Sequence, residues 1–237
     1  MQRILGLMRR AIEDYNMIED GDKIAVALSG GKDSLTLLYA LKNLQRFFLK
    51  KFELIAISIN PGFYDFNEKI LKNNCKKADV ELVIINEPIK QIVFDERKEK
   101  NPCSLCANLR RGILNSTAKK YGCNKIALGH NEDDVLETFL MNIIYAGNIS
   151  TFAPISYMDR SEITLIRPLI YVPEKLTKSF VKRNEIEVMP KVCEMDGKST
   201  REYALKLLKE LEINNKQTRA NLMGAIKRKN LNGWKET

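Results

Sequence analysis

The sequence predicts an α/β protein with a doubly wound, mostly parallel five-stranded sheet and helical segments at its N- and C-terminal ends. Three observations predict it. Short apolar, β-branched runs alternate with helical stretches of about a dozen residues. A turn, Ser29-Gly30-Gly31-Lys32-Asp33-Ser34, directly follows the first of those runs. The length, 237 residues, suits one large α/β domain with a small appended helical part.

Taken in order, residues 3–19 place Ile4, Leu7, Met8, Ile12, Tyr15 and Ile18 at amphipathic-helix spacing, and Asp20-Gly21-Asp22 ends the pattern. Residues 23–28 read as a buried strand, and 35–44 as a strongly apolar helix after the glycine turn. Strands follow at 53–59, 81–85, 125–128 and 163–166, with helices at 67–78, 106–121 and 133–145 between them. That alternation implies right-handed crossovers and parallel pairing. Residues 94–102 form a charged loop, and 146–160, polar and without a period, are expected to be a mobile cover over a site. Helices are expected at 174–184 and 199–211, then a basic tail at 216–229. The chain therefore divides into an N-terminal helix (1–22), a nucleotide-binding domain (23–172) and a C-terminal helical segment (173–237).

Composition narrows the function classes. The 39 Lys and Arg against 30 Asp and Glu leave a net charge of +9, which suits a polyanionic partner. No apolar run approaches the roughly 20 residues that span a bilayer. The first ten residues lack the apolar core of a signal peptide, so a cytoplasmic location is expected. Cysteines stand at 75, 103, 106, 123 and 193, an odd number that argues against a disulfide framework. His130 is the only histidine, so a mixed zinc site has at most one imidazole.

The turn after the first strand has the chemistry of a phosphate site. Gly30 and Gly31 let the backbone approach oxyanions closely, and the N–H groups opening the next helix hold them. Ser29 and Ser34 add hydroxyl donors and Lys32 adds a cation, while Asp33 suits magnesium. The loop is shorter than a Walker pattern, and it predicts ATP binding and cleavage. A second stretch, Gly129-His130-Asn131-Glu132-Asp133-Asp134, follows the fourth strand and opens a helix. Open parallel sheets bind ligands at such strand ends. Asp133 and Asp134 could cap that helix, and Asp134 is the one assigned to the nucleotide.

Cys103 and Cys106 stand two residues apart at the entry to a helix, a spacing that suits a metal, a cluster or a redox pair. Cys193 is the natural third thiolate, and three without a fourth fit a 4Fe–4S cluster with one open iron. Cys75 and Cys123 are expected to be packing residues.

The loop SGGKDS after an apolar strand, followed by GHNEDD, resembles the PP-loop ATP pyrophosphatases. With CSLCANLRRGIL between them, the pattern closely resembles the tRNA thiolases related to 2-thiocytidine synthetase, from about residue 3 to about residue 205. That resemblance implies thiolation of a pyrimidine C2 position in tRNA, using ATP, Mg2+ and a cluster held by Cys103, Cys106 and Cys193. It implies that Ser29, Gly30, Gly31, Lys32, Asp33, Ser34, Ile59, Arg110, Gly129 and Asp134 bind ATP, with Asp33 and the three cysteines catalytic. Cytidine 32 is the favoured base. The His130-Asn131 form, also similar to that of uridine-thiolating enzymes, keeps uridine open. A sulfur donor (a cysteine desulfurase or sulfide) and a homodimer follow from the same resemblance. Candidate tRNA contacts are Arg110, Arg111, Lys182, Arg183, Lys198 and Arg201, with Lys216, Arg219, Lys227, Arg228 and Lys229 in the tail. A persulfide on Cys103 or Cys106, a PP-loop ligase for a small molecule, and a non-catalytic nucleotide- or RNA-binding protein with a structural metal are the alternatives.

Overall fold

The N-terminal amphipathic pattern forms α1 (Gln2–Asp14), with Ile4, Met8, Ala11 and Ile12 buried. It stops short of residue 19 because Asn16 turns into the left-handed region at φ +49°. The computed structural model describes residues 1–63, 65–97, 102–190 and 200–236, with side chains from 203 onward in the last stretch. Strands β1 (Asp22–Ala27), β2 (Phe52–Asn60), β3 (Glu81–Asn86), β4 (Lys125–Ala127), β5 (Ile155–Met158) and β6 (Ile163–Ile166) form one sheet in the order β3-β2-β1-β4-β6-β5. Every neighbouring pair is parallel except β5, which runs antiparallel to β6.

The sheet thus has six strands where the sequence predicts five. The extra one, β5, lies in the stretch read as a polar cover. It is four residues long and none of them is fully buried, so it leaves neither an apolar run nor a clean alternation. The approach to it is held as well: Asn142 donates to the Ser150 carbonyl (2.9 Å) and the Thr151 hydroxyl to the Val135 carbonyl (3.1 Å).

Helices α2 (Lys32–Leu44), α3 (Glu68–Ala78), α4 (Pro102–Lys120) and α5 (Glu132–Ala146) make the crossovers. Strand pleating sends Ile24, Val26 and Ala56 into a large core with residues of α1, α2 and α5. The alternate positions Ala25, Ile55 and Ile57 pack on the other face with Ala118 of α4. Both faces are therefore covered, as a parallel sheet requires.

After the sheet come α6 (Glu174–Arg183), α7 (Thr200–Asn214) and α8 (Thr218–Arg228). Ala204, Leu208, Met223 and Ile226 join the larger core, with α6 packed on α2 and α7 and α8 on α5. The chain end is pinned by Trp234, fully buried, whose indole N–H donates to the Phe152 carbonyl at 3.0 Å. Its ring stands edge-on to Tyr15 with centroids 5.8 Å apart.

Trp234→Ala removes that side chain from a closed site. It is expected to lower the unfolding free energy by about 3–5 kcal/mol, measured by urea unfolding of the full chain.

Candidate active site

The carboxyl ends of β1, β2, β4 and β6 lie side by side in the sheet, so the turns that follow them share one edge. The strand order changes direction at β1, whose neighbours are β2 and β4. Open α/β sheets bind ligands at such a switch point. The glycine turn sits there. Gly30 holds φ +78°, and Gly31 is the N-cap of α2. The Ser34 hydroxyl donates to the Gly31 carbonyl at 2.9 Å, and Ser29 and Ser34 are linked at 3.1 Å.

Gly129 brings the second motif against this turn. A Cβ there would stand 3.1 Å from the Ser34 backbone nitrogen, tighter than ordinary contact, so only glycine fits without displacing the first turn of α2. Asn131 caps α5 by accepting from the Asp133 and Asp134 N–H groups, and Asp134 accepts from the Asn131 N–H at 2.9 Å. Asp134 thus takes part in a capping box.

Residues outside both motifs complete the phosphate side. Lys32 contacts Asp33 and Glu174, each at 2.8 Å. Burial disfavours the Lys32 charge, but the bonds to Asp33 and Glu174 outweigh it and raise the ammonium pKa. The Thr177 hydroxyl donates to Asp33 at 2.6 Å. Burial likewise works against the Glu174 carboxylate, but bonds from Lys178 and Lys32 prevail and lower its pKa. Met189 closes the turn: its N–H donates to the Gly30 carbonyl at 2.9 Å, and its sulfur lies 2.5 Å from where a Gly30 Cβ would be. Sequence reasoning missed Glu174, Thr177 and Met189, since each becomes adjacent to the loop only through the fold.

Beside the turn opens a cavity of about 600 Å³. One wall is Ala27, Leu28, Ser29, Ile57 and Ile59, at the ends of β1 and β2. One stripe of α4 also lines it: Cys103, Cys106, Ala107, Arg110, Arg111, Leu114 and Asn115. Steps of three and four residues put all seven on one helix face. Leu128, His130, Leu165 and Arg167 fill the far end, with Phe152 stacked 5.0 Å from His130. Ser29, Ile59, Cys103, Cys106, Arg110 and Arg111 therefore line one space, whereas Gly30, Gly31, Lys32, Asp33, Ser34, Gly129 and Asp134 do not line it.

Other expected residues fall elsewhere. Cys193 and Lys198 lie outside the described residues, as does the Arg201 side chain. Among the described residues no three His, Cys, Asp or Glu side chains gather as a metal site. Cys75 and Cys123 are buried core thiols; burial pushes Cys75 up to about 12 and raises Cys123. Arg183 is exposed at the end of α6 and does not line the cavity. Arg219 is not a solvated tail residue: it binds Asp133 (2.7 Å) and Glu212 (2.6 Å) and lies 3.8 Å from Glu132. Lys227 sits 4.1 Å over the Tyr171 ring rather than in open solvent.

The family comparison decides what this arrangement is. Residues 6–204 match the model described as the PP-loop domain. The chain belongs to the PP-loop family. It is 38% identical over 227 residues to a Geotalea uraniireducens protein named tRNA-cytidine(32) 2-sulfurtransferase, covering 94% of this chain and 90% of that one. A protein of the same name from Ralstonia pickettii is 42% identical, over 82% of this chain and 62% of its own length. Among solved structures, the PP-loop chain is similar to the U34-tRNA thiolase NcsA of Methanococcus maripaludis, determined with its 4Fe-4S cluster. There the TM-score is 0.74 at 26% identity, over 92% of this chain and 75% of that chain. No helix among the described residues is long and apolar enough to cross a membrane.

Two outcomes follow from the site's electrostatics. Thr177→Val leaves the half-buried Asp33 oxygen without its donor and is expected to lower stability by about 1–3 kcal/mol, read by urea unfolding. Burial pushes the Glu132 carboxyl up to about 7, against the lowering pull of Arg219 and with help from Asp133. A carboxyl raised in the folded state contributes stability that is full below about pH 4.5 and lost as pH rises through about 7. The stability of the native protein relative to Glu132→Gln should therefore fall across that interval, as measured by unfolding at a series of pH values.

Proposed function

We propose that this chain is an ATP-dependent tRNA sulfurtransferase that replaces the C2 oxygen of a cytidine, position 32, with sulfur. One observation carries the reading: Ser29, which opens the phosphate loop, and the Cys103–Cys106 pair line the same cavity. Either element alone fits several chemistries. An ATP loop beside paired thiols suits activation of an oxygen followed by its replacement with sulfur. Cytidine is favoured over uridine because the relatives of higher identity are named for cytidine 32, whereas the similar solved structure is a U34 enzyme.

ATP fits the left-handed turn at Gly30 and the open N-terminus of α2, where backbone N–H groups and the helix dipole hold phosphate. Ile57 and Ile59 offer the apolar strand end to adenine. Arg110 reaches the phosphates from α4, and its Nε is buried without a protein partner. Asp33 would hold Mg2+, releasing Lys32 toward the phosphate oxygens. The base C2 oxygen then attacks the α-phosphorus, the bond to the bridging oxygen breaks, and pyrophosphate leaves. Sulfur adds at C2 and AMP departs with the original oxygen.

Cys103 and Cys106, one turn apart on the same face, fit two corners of a 4Fe–4S cluster. Cys193 is assigned as the third ligand: it follows Met189, bonded to Gly30, by four residues. A cluster held by these thiolates would supply a site for sulfide-level sulfur from a desulfurase or free sulfide. Arg111, exposed at the cavity edge, suits RNA phosphate.

Cys193→Ala purified without oxygen is expected to keep ATP binding while losing the cluster's visible absorbance and its iron and acid-labile sulfide. It should also fail to restore 2-thiocytidine in tRNA of cells lacking the native protein, scored by nucleoside mass spectrometry. Full activity of that variant would remove the three-cysteine assignment.

A further inference from the structure

A second space adjoins the cavity, a groove of about 670 Å³ between α4 and the β5–β6 hairpin. Arg111 and Asn115 line both. From that shared turn the groove follows α4 toward its C-terminal end, as far as Lys119, while the cysteine pair lies toward the N-terminal end. At 1.5 Å per helical residue, Arg111 to Lys119 spans roughly 12 Å. Most of the lining residues are exposed, so a ligand can reach them. The two sides are also tied together: Lys119 bonds Glu162 at 2.7 Å, and Asn115 donates to the Ser161 hydroxyl at 3.4 Å. The Ser161 and Glu162 N–H groups both donate to the Met158 carbonyl, at 3.0 and 2.8 Å, which closes the turn that carries Arg160. The groove is thus formed before any partner arrives.

Its chemistry is that of cations beside an open ring. Arg111, Lys119 and Arg160 line it against one carboxylate, Asp159. Lys119 is neutralised by Glu162, but the other two charges remain available. A guanidinium has five N–H donors, and the bond from Arg111 Nη2 to Asn108 (3.0 Å) uses one. Arg160 is exposed and makes no hydrogen bond or ion pair among the described residues. Tyr157, on the edge strand β5, is 59% exposed. Gly112 also lines the groove, inside α4, where glycine weakens a helix. Its φ is not positive and an added Cβ would meet nothing within 4 Å, so the fold requires glycine there on neither ground. A side chain at that position would occupy the groove.

We propose that this groove holds the tRNA strand flanking the target base, with its phosphates on Arg111 and Arg160 and one flanking base stacked on Tyr157. This rests on the thiolase reading above. Guanidinium groups beside an exposed aromatic ring are the combination that binds single-stranded nucleic acid, the cations holding the backbone and the ring a base. Such contacts position the strand without reading its sequence. They also bring it to the turn of α4 that groove and cavity share. That continuity favours the substrate strand over an acidic protein surface as the occupant.

The test titrates the anaerobically reconstituted full chain with a labelled tRNA transcript carrying cytidine 32, at a series of KCl concentrations. Thiolation is followed in parallel with ATP and either sulfide or a cysteine desulfurase as donor. Arg160→Gln should lower the slope of log affinity against log salt by about 0.7 to 1. Tyr157→Val, which keeps a β-branched residue on the strand, should weaken binding by about five- to a hundredfold and leave the slope unchanged. Gly112→Leu should also weaken binding, with a thermal midpoint at or above the native one; it covers the case in which the Tyr157 variant loosens the hairpin. Native affinity in Tyr157→Val or Gly112→Leu, or a native slope in Arg160→Gln, overturns the groove alone. Variants impaired with the desulfurase but native with sulfide overturn it too, by making the groove a protein-docking surface. A native protein that neither binds nor thiolates the transcript overturns the thiolase reading, and the groove with it.

Discussion

Adjacent parallel strands β1 and β4 end side by side, and the site depends on how closely the two turns beyond them approach. The limit is set at Gly129, where an added Cβ would meet the Ser34 nitrogen at 3.1 Å. Because nothing projects there, the second motif lies against the first turn of α2 and its N–H groups stay where an anion needs them. Gly30 meets the same demand from the other side: Met189 packs where its Cβ would be, so the loop is fixed between two neighbours. A loop so confined keeps its N–H groups preorganised, the arrangement that suits a bound phosphate.

From that contact a network runs outward into the C-terminal helices. Asp133 accepts from the Glu174 N–H at 2.7 Å and from Arg219 at 2.7 Å, tying the start of α6 to α5 and α8. Glu174 in turn contacts Lys32, and Thr177 contacts Asp33. The C-terminal helices are thus coupled to the loop through carboxylates rather than apolar packing alone. Lys32 and Asp33 are held as a pair, and a phosphate or metal entering must exchange with those protein bonds.

Much of the sheet is legible in the sequence because parallel strands buried on both faces leave continuous apolar runs, as in residues 23–28 and 53–59. β5 is not, because an antiparallel edge strand of four partly exposed residues leaves no such run. The phosphate loop and the cysteine pair are legible because their chemistry is local in sequence. The rest of the site is not. Thr177 touches Asp33 across 144 positions, and Arg219 touches Asp133 across 86. Arg219 also shows why charge alone misleads: in the sequence it belongs to a basic tail, yet three carboxylates surround it. The stripe from Cys103 to Asn115 lies between these cases: its helical period is visible, but only the fold shows which face lines the cavity.

The two ends of the sheet treat buried charge in opposite ways. At the amino end, Lys125 is buried against Asp22 at 2.8 Å, and each charge has its counterpart. At the carboxyl end, Arg167 is equally buried, and among the described residues it has a carbonyl, a hydroxyl and an aromatic face around it but no carboxylate. Burying an ion without a counter-ion works against folding, and a pair of the amino-end kind would relieve it. The cavity therefore keeps its positive charge open at some cost to stability. A ligand that supplied acceptors to this guanidinium would offset that cost.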